Sequence, residues 1–256
     1  MRFLRACHAD PDFLVTSDPQ YWNLRHLDPL AANHGDVCLI AEASVQSAAL
    51  RICPRTLLFS SLYPPASIIE AAVDKKGALG AGGSVATSAF DFTLLLRRNN
   101  EMPVFVGGLD LAFPSLKTHY RGALFEEMIL SAQNRLKPAQ KEYFNAFHSA
   151  APFLTNSISG GMVYSDRRLS LYARWFENRL GLIPEAPVFS LGGGGIAIRG
   201  IRAVDINEAL KLPDVRAGID ARKKEVFNAI EKEWNLNAAS RAEKFSRAIS
   251  ANMNSI

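Results

Sequence analysis

The sequence predicts an α/β fold: an open, mainly parallel sheet with flanking helices and a helical tail at the carboxyl end. Two observations carry this. Short, continuously apolar runs recur along the chain between stretches of helical period, and strands apolar on both faces belong in a parallel sheet covered on both sides. The stretch 76–121 also runs glycine-rich loop, apolar helix, buried strand, polar loop. That order is half of an α/β nucleotide-site unit, so the class is Rossmann-like.

The strand candidates are Phe13–Thr16, 37–40, Thr56–Phe59, Val104–Val106 and Val188–Ser190. Each is short and apolar, and most are followed by polar or turn-forming residues. Between them, Tyr21-Trp22-Asn23 opens a helix. Ser84 is a good N-cap for a helix whose Val85, Ala89, Phe92 and Leu96 recur on one side. After residue 121 the chain turns helical at 122–136 and again from Pro138 to about 147. Residues 152–161, with Asn156, Ser157, Ser159, Gly160 and Gly161, read as a loop. Leu169, Tyr172, Phe176 and Leu180 mark an amphipathic helix over 166–180 that Gly181 is placed to stop. The tail 217–251 is charged and helical, with Val226, Ile230 and Trp234 as a thin apolar stripe.

Composition bounds the answer further. A chain of 256 residues, 48% of them hydrophobic, can bury one core with a helical appendage, so the division expected is a domain over 1–212 and a tail over 213–256. A net charge of +4 with scattered basic residues does not argue for nucleic acid, and is compatible with an anionic small-molecule ligand. Cys7, Cys38 and Cys53 are an odd set without CxxC spacing, which points away from disulfides and zinc and toward a reducing, cytoplasmic setting. No apolar run approaches the ~20 residues that span a bilayer.

The chemistry gathers at loops. Gly80, Gly82 and Gly83 leave bare backbone before a helix N-terminus, whose free N–H groups and partial positive charge suit phosphate. Their spacing fits neither standard phosphate-loop fingerprint, and an ordinary tight turn into a core helix remains equally open. Asp18, Glu42, Ser60, Asp110 and the four glycines 192–195 each follow a strand candidate. Carboxyl ends of parallel strands line one crevice, so these positions together mark a site at that edge. Singly, each also reads as a cap or turn former.

Several of these residues resemble the motility accessory factor (Maf) family. They are Pro11-Asp12-Phe13, Ser17-Asp18-Pro19-Gln20-Tyr21-Trp22, Gly82-Gly83-Ser84-Val85-Ala86-Thr87, Gly108-Leu109-Asp110-Leu111-Ala112 and Thr118-His119. The resemblance runs from about residue 11 to 212. It implies a domain shared with 6-hydroxymethylpterin diphosphokinases (MptE-like), closest to spirochaete-type members. It further implies a sialyltransferase-like glycosyltransferase that uses a nucleotide-activated nonulosonic acid, a CMP-sugar donor, in glycosylation of flagellin or another flagellar protein.

On that resemblance, Gly82, Gly83, Ser84, Thr87 and Asp18 would hold the nucleotide. His119 would be the catalytic base, and Asp110 would orient it or bind ribose. No metal site is expected. A pterin-type diphosphokinase using ATP and Mg²⁺ ranks second, because the loops lack a DxD-type acidic cluster; a non-catalytic accessory protein ranks third. Members of the family begin this domain with an earlier strand and a Gly-Pro-Ser-Leu-type loop, so the domain is expected to be N-terminally incomplete here.

Overall fold

The computed structural model describes residues 2–32, 35–53, 55–61, 70–71, 75–116 and 122–253. The strands are β1 (Phe13–Thr16), β2 (Cys38–Glu42), β3 (Thr56–Phe59), β4 (Val104–Val106), β5 (Phe153–Asn156), β6 (Met162–Ser165), β7 (Val188–Ser190) and β8 (Ile201–Ala203). The longer helices are α1 (Val85–Leu96), α2 (Leu124–Ala132), α3 (Ala139–Ser149), α4 (Arg167–Gly181) and α5 (Arg216–Met253). Short helical turns fill several of the connections, among them the 3₁₀ segment Tyr21–His26. All five strand candidates form strands, and parallel sheets flanked by helices with a C-terminal helix follow the expected class.

The expected single sheet is corrected. Hydrogen bonding divides the parallel strands into two three-stranded sheets, β1-β2-β3 and β4-β7-β8. Among the described residues, β1 pairs only with β2 and β4 only with β7, so both are edge strands of their sheets. Helix α1 joins them. Its Phe92 meets Phe13 of β1 edge-on at 5.2 Å, while its Phe90 meets Phe176 of α4 at 5.3 Å within the core that covers β4 and β7.

The same split explains a second correction, to the core face of α1. The buried face runs through Phe90 with Ala86 and Leu94 packed beside it. Val85 and Leu96, assigned to the core from periodicity, are 41% and 54% exposed. With Ala89 and Phe92 they overlook a groove of about 380 Å³ along Phe13, Leu14 and Val15. The groove stays open because no described strand pairs with β1 on that side.

Strand β2 behaves as a strand covered on both faces should. All five of its residues are buried. Leu39 and Ala41 pack with Leu27, Leu30, Val37 and Ala49 on one face, and Cys38 and Ile40 pack with Phe59, Leu79 and Phe227 on the other. Burial, with a smaller contribution from Cys53, pushes the Cys38 thiol up to about 11, so it stays a protonated apolar filler at neutral pH. Residues 153–165, read in part as loop, form an antiparallel hairpin instead. Its turn residues Ser157 and Gly160 close it through the bond from Gly160 N–H to Ser157 O.

The charged tail is anchored where it begins. Helix α5 inserts Phe227, 6% exposed, into the core under β1–β3, with Ile230 beside it. The inward stripe therefore runs through Phe227, while Val226 is 40% exposed. Arg216 donates to both oxygens of Asp12 at 2.9 and 3.0 Å, and Lys223 Nζ adds a third bond at 2.7 Å. Burial raises the Asp12 carboxyl, but the bonds from Arg216 and Lys223 outweigh it and hold the group below its ordinary 3.8.

A carboxyl held low in the fold adds stability above its ordinary pKa, and that contribution is lost as pH falls through the lowered value. Asp12→Asn should therefore lower Tm by a few degrees at pH 7, since partly exposed pairs are each worth under ~1 kcal/mol. The difference between the variant and the parent should shrink as pH falls below 3.8 and through the lowered value. Thermal melts over a descending pH series from pH 7 check this, and an unchanged Tm at pH 7 would detach α5 from Asp12.

Candidate functional site

The carboxyl ends of β1, β2 and β3 open into one cavity of about 620 Å³, a size usual for small-molecule sites. Strand β1 and the turn after it contribute Thr16, Ser17 and Asp18. The 3₁₀ segment brings Asn23 and His26, β2 ends in Glu42, and Ser61 follows β3. The fourth wall is Ala81, Gly83 and Ser84 with the first turn of α1. This is the edge where open parallel sheets take ligands.

Each group is held by local chemistry. The Asp18 carboxylate accepts from Gln20 N–H at 2.8 Å, closing the turn after β1. Glu42 is 6% exposed, and both of its oxygens are bonded: Ser44 Oγ donates to Oε2 at 2.7 Å and Ser61 Oγ donates to Oε1. The His26 ring lies 6.4 Å from that of Phe125 at the start of α2. Among the described residues no Lys or Arg lines the cavity. Positive potential there comes from the α1 N-terminus, where Ser84 is the N-cap and accepts from Ala86 N–H.

The glycine loop is tied down by the helix it precedes. Thr87 Oγ1 accepts from Gly82 N–H at 2.9 Å and donates to Ser84 O at 2.6 Å. Ser88 Oγ donates to Gly80 O at 2.9 Å. Asp91 accepts from Gly80 N–H at 2.8 Å through one oxygen and from Arg179 Nε of α4 at 2.6 Å through the other. Helix α4 then crowds the loop. A Cβ on Gly82 would lie 2.5 Å from Trp175 Cγ, and one on Gly83 would lie 2.9 Å from Tyr172 Cε1. Gly83 also holds φ at +87°, the left-handed region. Glycine is required at both positions for packing against α4.

Of the residues singled out from sequence, Asp18, Gly83 and Ser84 line the cavity together. Gly82 stands behind them against Trp175, and Thr87, fully buried, structures the loop. Asp110 belongs elsewhere. It sits at the carboxyl side of β4, its backbone 2.8 Å from where a Gly195 Cβ would be and its carboxylate beside Gly192 and Gly194. Ser157 and Ser159 donate to Gly193 O nearby. His119 lies outside the described residues. Asn23, His26 and Ser61 were missed: a histidine in a short 3₁₀ turn and a serine after a strand carry no spacing signal. Glu42 is legible in the sequence as a strand-end carboxylate, though with no sign that it carries a specific role.

Among the described residues no helix is long and apolar enough to cross a membrane, and no group of three or more His, Cys, Asp or Glu could hold a metal ion. No protein-family model matches the chain. An uncharacterised protein of Treponema pallidum (strain Nichols) is 30% identical over 247 residues, covering 84% of this chain and 61% of its own length. The structure of the MAf glycosyltransferase from Magnetospirillum magneticum AMB-1 superposes over 88% of this chain and 31% of that one, with a TM-score of 0.61 and 16% identity. The chain thus spans about three fifths of the relative and a third of the solved structure. It shares the fold of that part of the glycosyltransferase.

Overpacking at the loop should be measurable. Gly82→Ala should cost roughly 1–3 kcal/mol, read as a lower urea midpoint with an unchanged slope. Gly77→Ala, with no atom within 4 Å of its added methyl, should be near neutral. Equal midpoints for the two variants would mean the loop is not packed against Trp175.

Proposed function

We propose that this chain carries the nucleotide-binding part of a glycosyltransferase that uses a nucleotide-activated nonulosonic acid, with flagellin or another flagellar protein as acceptor. One observation carries the reading: the α1 N-terminus, capped at Ser84 beside Gly83, opens into the same cavity as Asp18 and Glu42. Helix N–H groups supply an anion site without a cationic side chain, and strand-end carboxylates accept from sugar and ribose hydroxyls. The fold shared with the Magnetospirillum glycosyltransferase supports the same direction.

Transfer needs a base to take the acceptor proton and donors to steady the departing phosphate. The helix N-terminus fills the second role in this reading. For the first, His119 keeps its place as the candidate base, in the segment that precedes α2. Asp110, beside the glycines 192–195, is then removed from direct partnership with the donor cavity.

A pterin-type diphosphokinase is the second reading, and Asp18 and Glu42 favour it to this extent: a pair of carboxylates in one cavity is what Mg²⁺–nucleotide sites use.

Calorimetry with CMP and with ATP, each with and without Mg²⁺, separates the two. CMP binding independent of Mg²⁺ is expected, and binding of ATP that requires Mg²⁺ would transfer the assignment to the kinase. Val85→Asp places a carboxylate at the first helical position, where it complements the helix dipole yet repels phosphate. It should cut CMP affinity at least tenfold with no loss of Tm. His119→Ala should leave CMP affinity unchanged and abolish transfer.

A further inference from the structure

We propose that Glu42 binds the ribose diol of the nucleotide and so fixes which end of the cavity takes the nucleoside; this rests on the nucleotide reading above. Glu42 is the last residue of β2, the middle strand of its sheet. Nucleotide-binding α/β folds place a ribose-binding acid at a strand's carboxyl end, a short reach from the phosphate at a helix N-terminus.

Its surroundings argue for a ligand with hydroxyl donors. The side chain is almost fully buried, yet it lines the cavity. A carboxylate offers about four lone-pair positions. Ser44 and Ser61 occupy one on each oxygen, hold the group in a fixed orientation and carry no charge. One position on each oxygen is left, and no Lys or Arg among the described lining residues competes for it. A cis-diol presents two O–H donors side by side, the match for two fixed oxygens.

The charge distribution orients such a ligand. Phosphate is repelled by Glu42 and attracted to the N–H groups after Ser84, so the cavity has an anionic end and a helix-dipole end. A nucleoside monophosphate fits in one direction, ribose against β2 and phosphate against α1. Asp18, half-buried and already closing its own turn, is the weaker competitor for the diol.

The test is calorimetric titration of the 256-residue chain with CMP and with 2′,3′-dideoxy-CMP, on wild type, Glu42→Gln and Ser61→Ala. Hydrogen bonds to a buried carboxylate should make wild type prefer CMP by roughly ten- to hundredfold. Glu42→Gln should lose most of that preference while dideoxy-CMP affinity stays the same or rises, and Ser61→Ala, which frees the carboxylate to turn, should lose part of it. If wild type binds both nucleotides equally, or Glu42→Gln keeps the preference, Glu42 is only a turn anchor and the nucleotide reading survives without it. If wild type binds neither nucleotide, both the assignment and the reading it rests on fall. Should Glu42→Gln fail to fold, the wild-type ratio and Ser61→Ala still decide.

Discussion

The Asp91 carboxylate is the contact on which the site most depends. One oxygen takes the backbone N–H of Gly80 and the other takes Arg179 of α4, with the two side chains 14% and 30% exposed. A single group thus ties the glycine loop, the middle of α1 and the far end of α4. Charge-assisted bonds of this kind are stronger and shorter than neutral ones, and partial burial shields them from screening. With Thr87 and Ser88 holding the rest of the loop, the α1 N-terminus is aimed before any ligand arrives. Pre-set geometry of that kind reduces the ordering cost of binding.

Much of this was legible in the sequence, for reasons that can be named. Four strands kept their predicted bounds, because a short run such as Phe13–Thr16 or Val188–Ser190 is apolar and flanked by turn formers. The cap Ser84 was set by chemistry local to one turn. What failed was non-local. Division into two sheets depends on which strand edges meet, and periodicity reports faces, never neighbours. Packing of Gly82 and Gly83 against Trp175 and Tyr172 joins residues about ninety positions apart. From sequence those glycines read equally as ligand space or as a turn; their missing side chains turn out to face α4. Asp110 was grouped with Asp18 on the premise of one crevice, and with two sheets there are two carboxyl edges.

The groove along β1 follows from the same constraint. A parallel strand normally lies inside a sheet, where both rows of its backbone groups are paired. Here β1 has one described partner, and the apolar face of α1 beside it is left exposed at Val85 and Leu96. Leu14, Val15 and Val85 line both the groove and the cavity.

On the proposed function, the carboxyl edge of β1–β3 holds a nucleotide with its phosphate at the α1 N-terminus. A crystal structure of the chain grown with CMP tests this. Phosphate density is expected within hydrogen-bond distance of the backbone N–H groups following Gly83, with the nucleoside inside the cavity lined by Asp18 and Glu42. Density for CMP at the other carboxyl edge, beside Asp110 and the glycines 192–195, would contradict it.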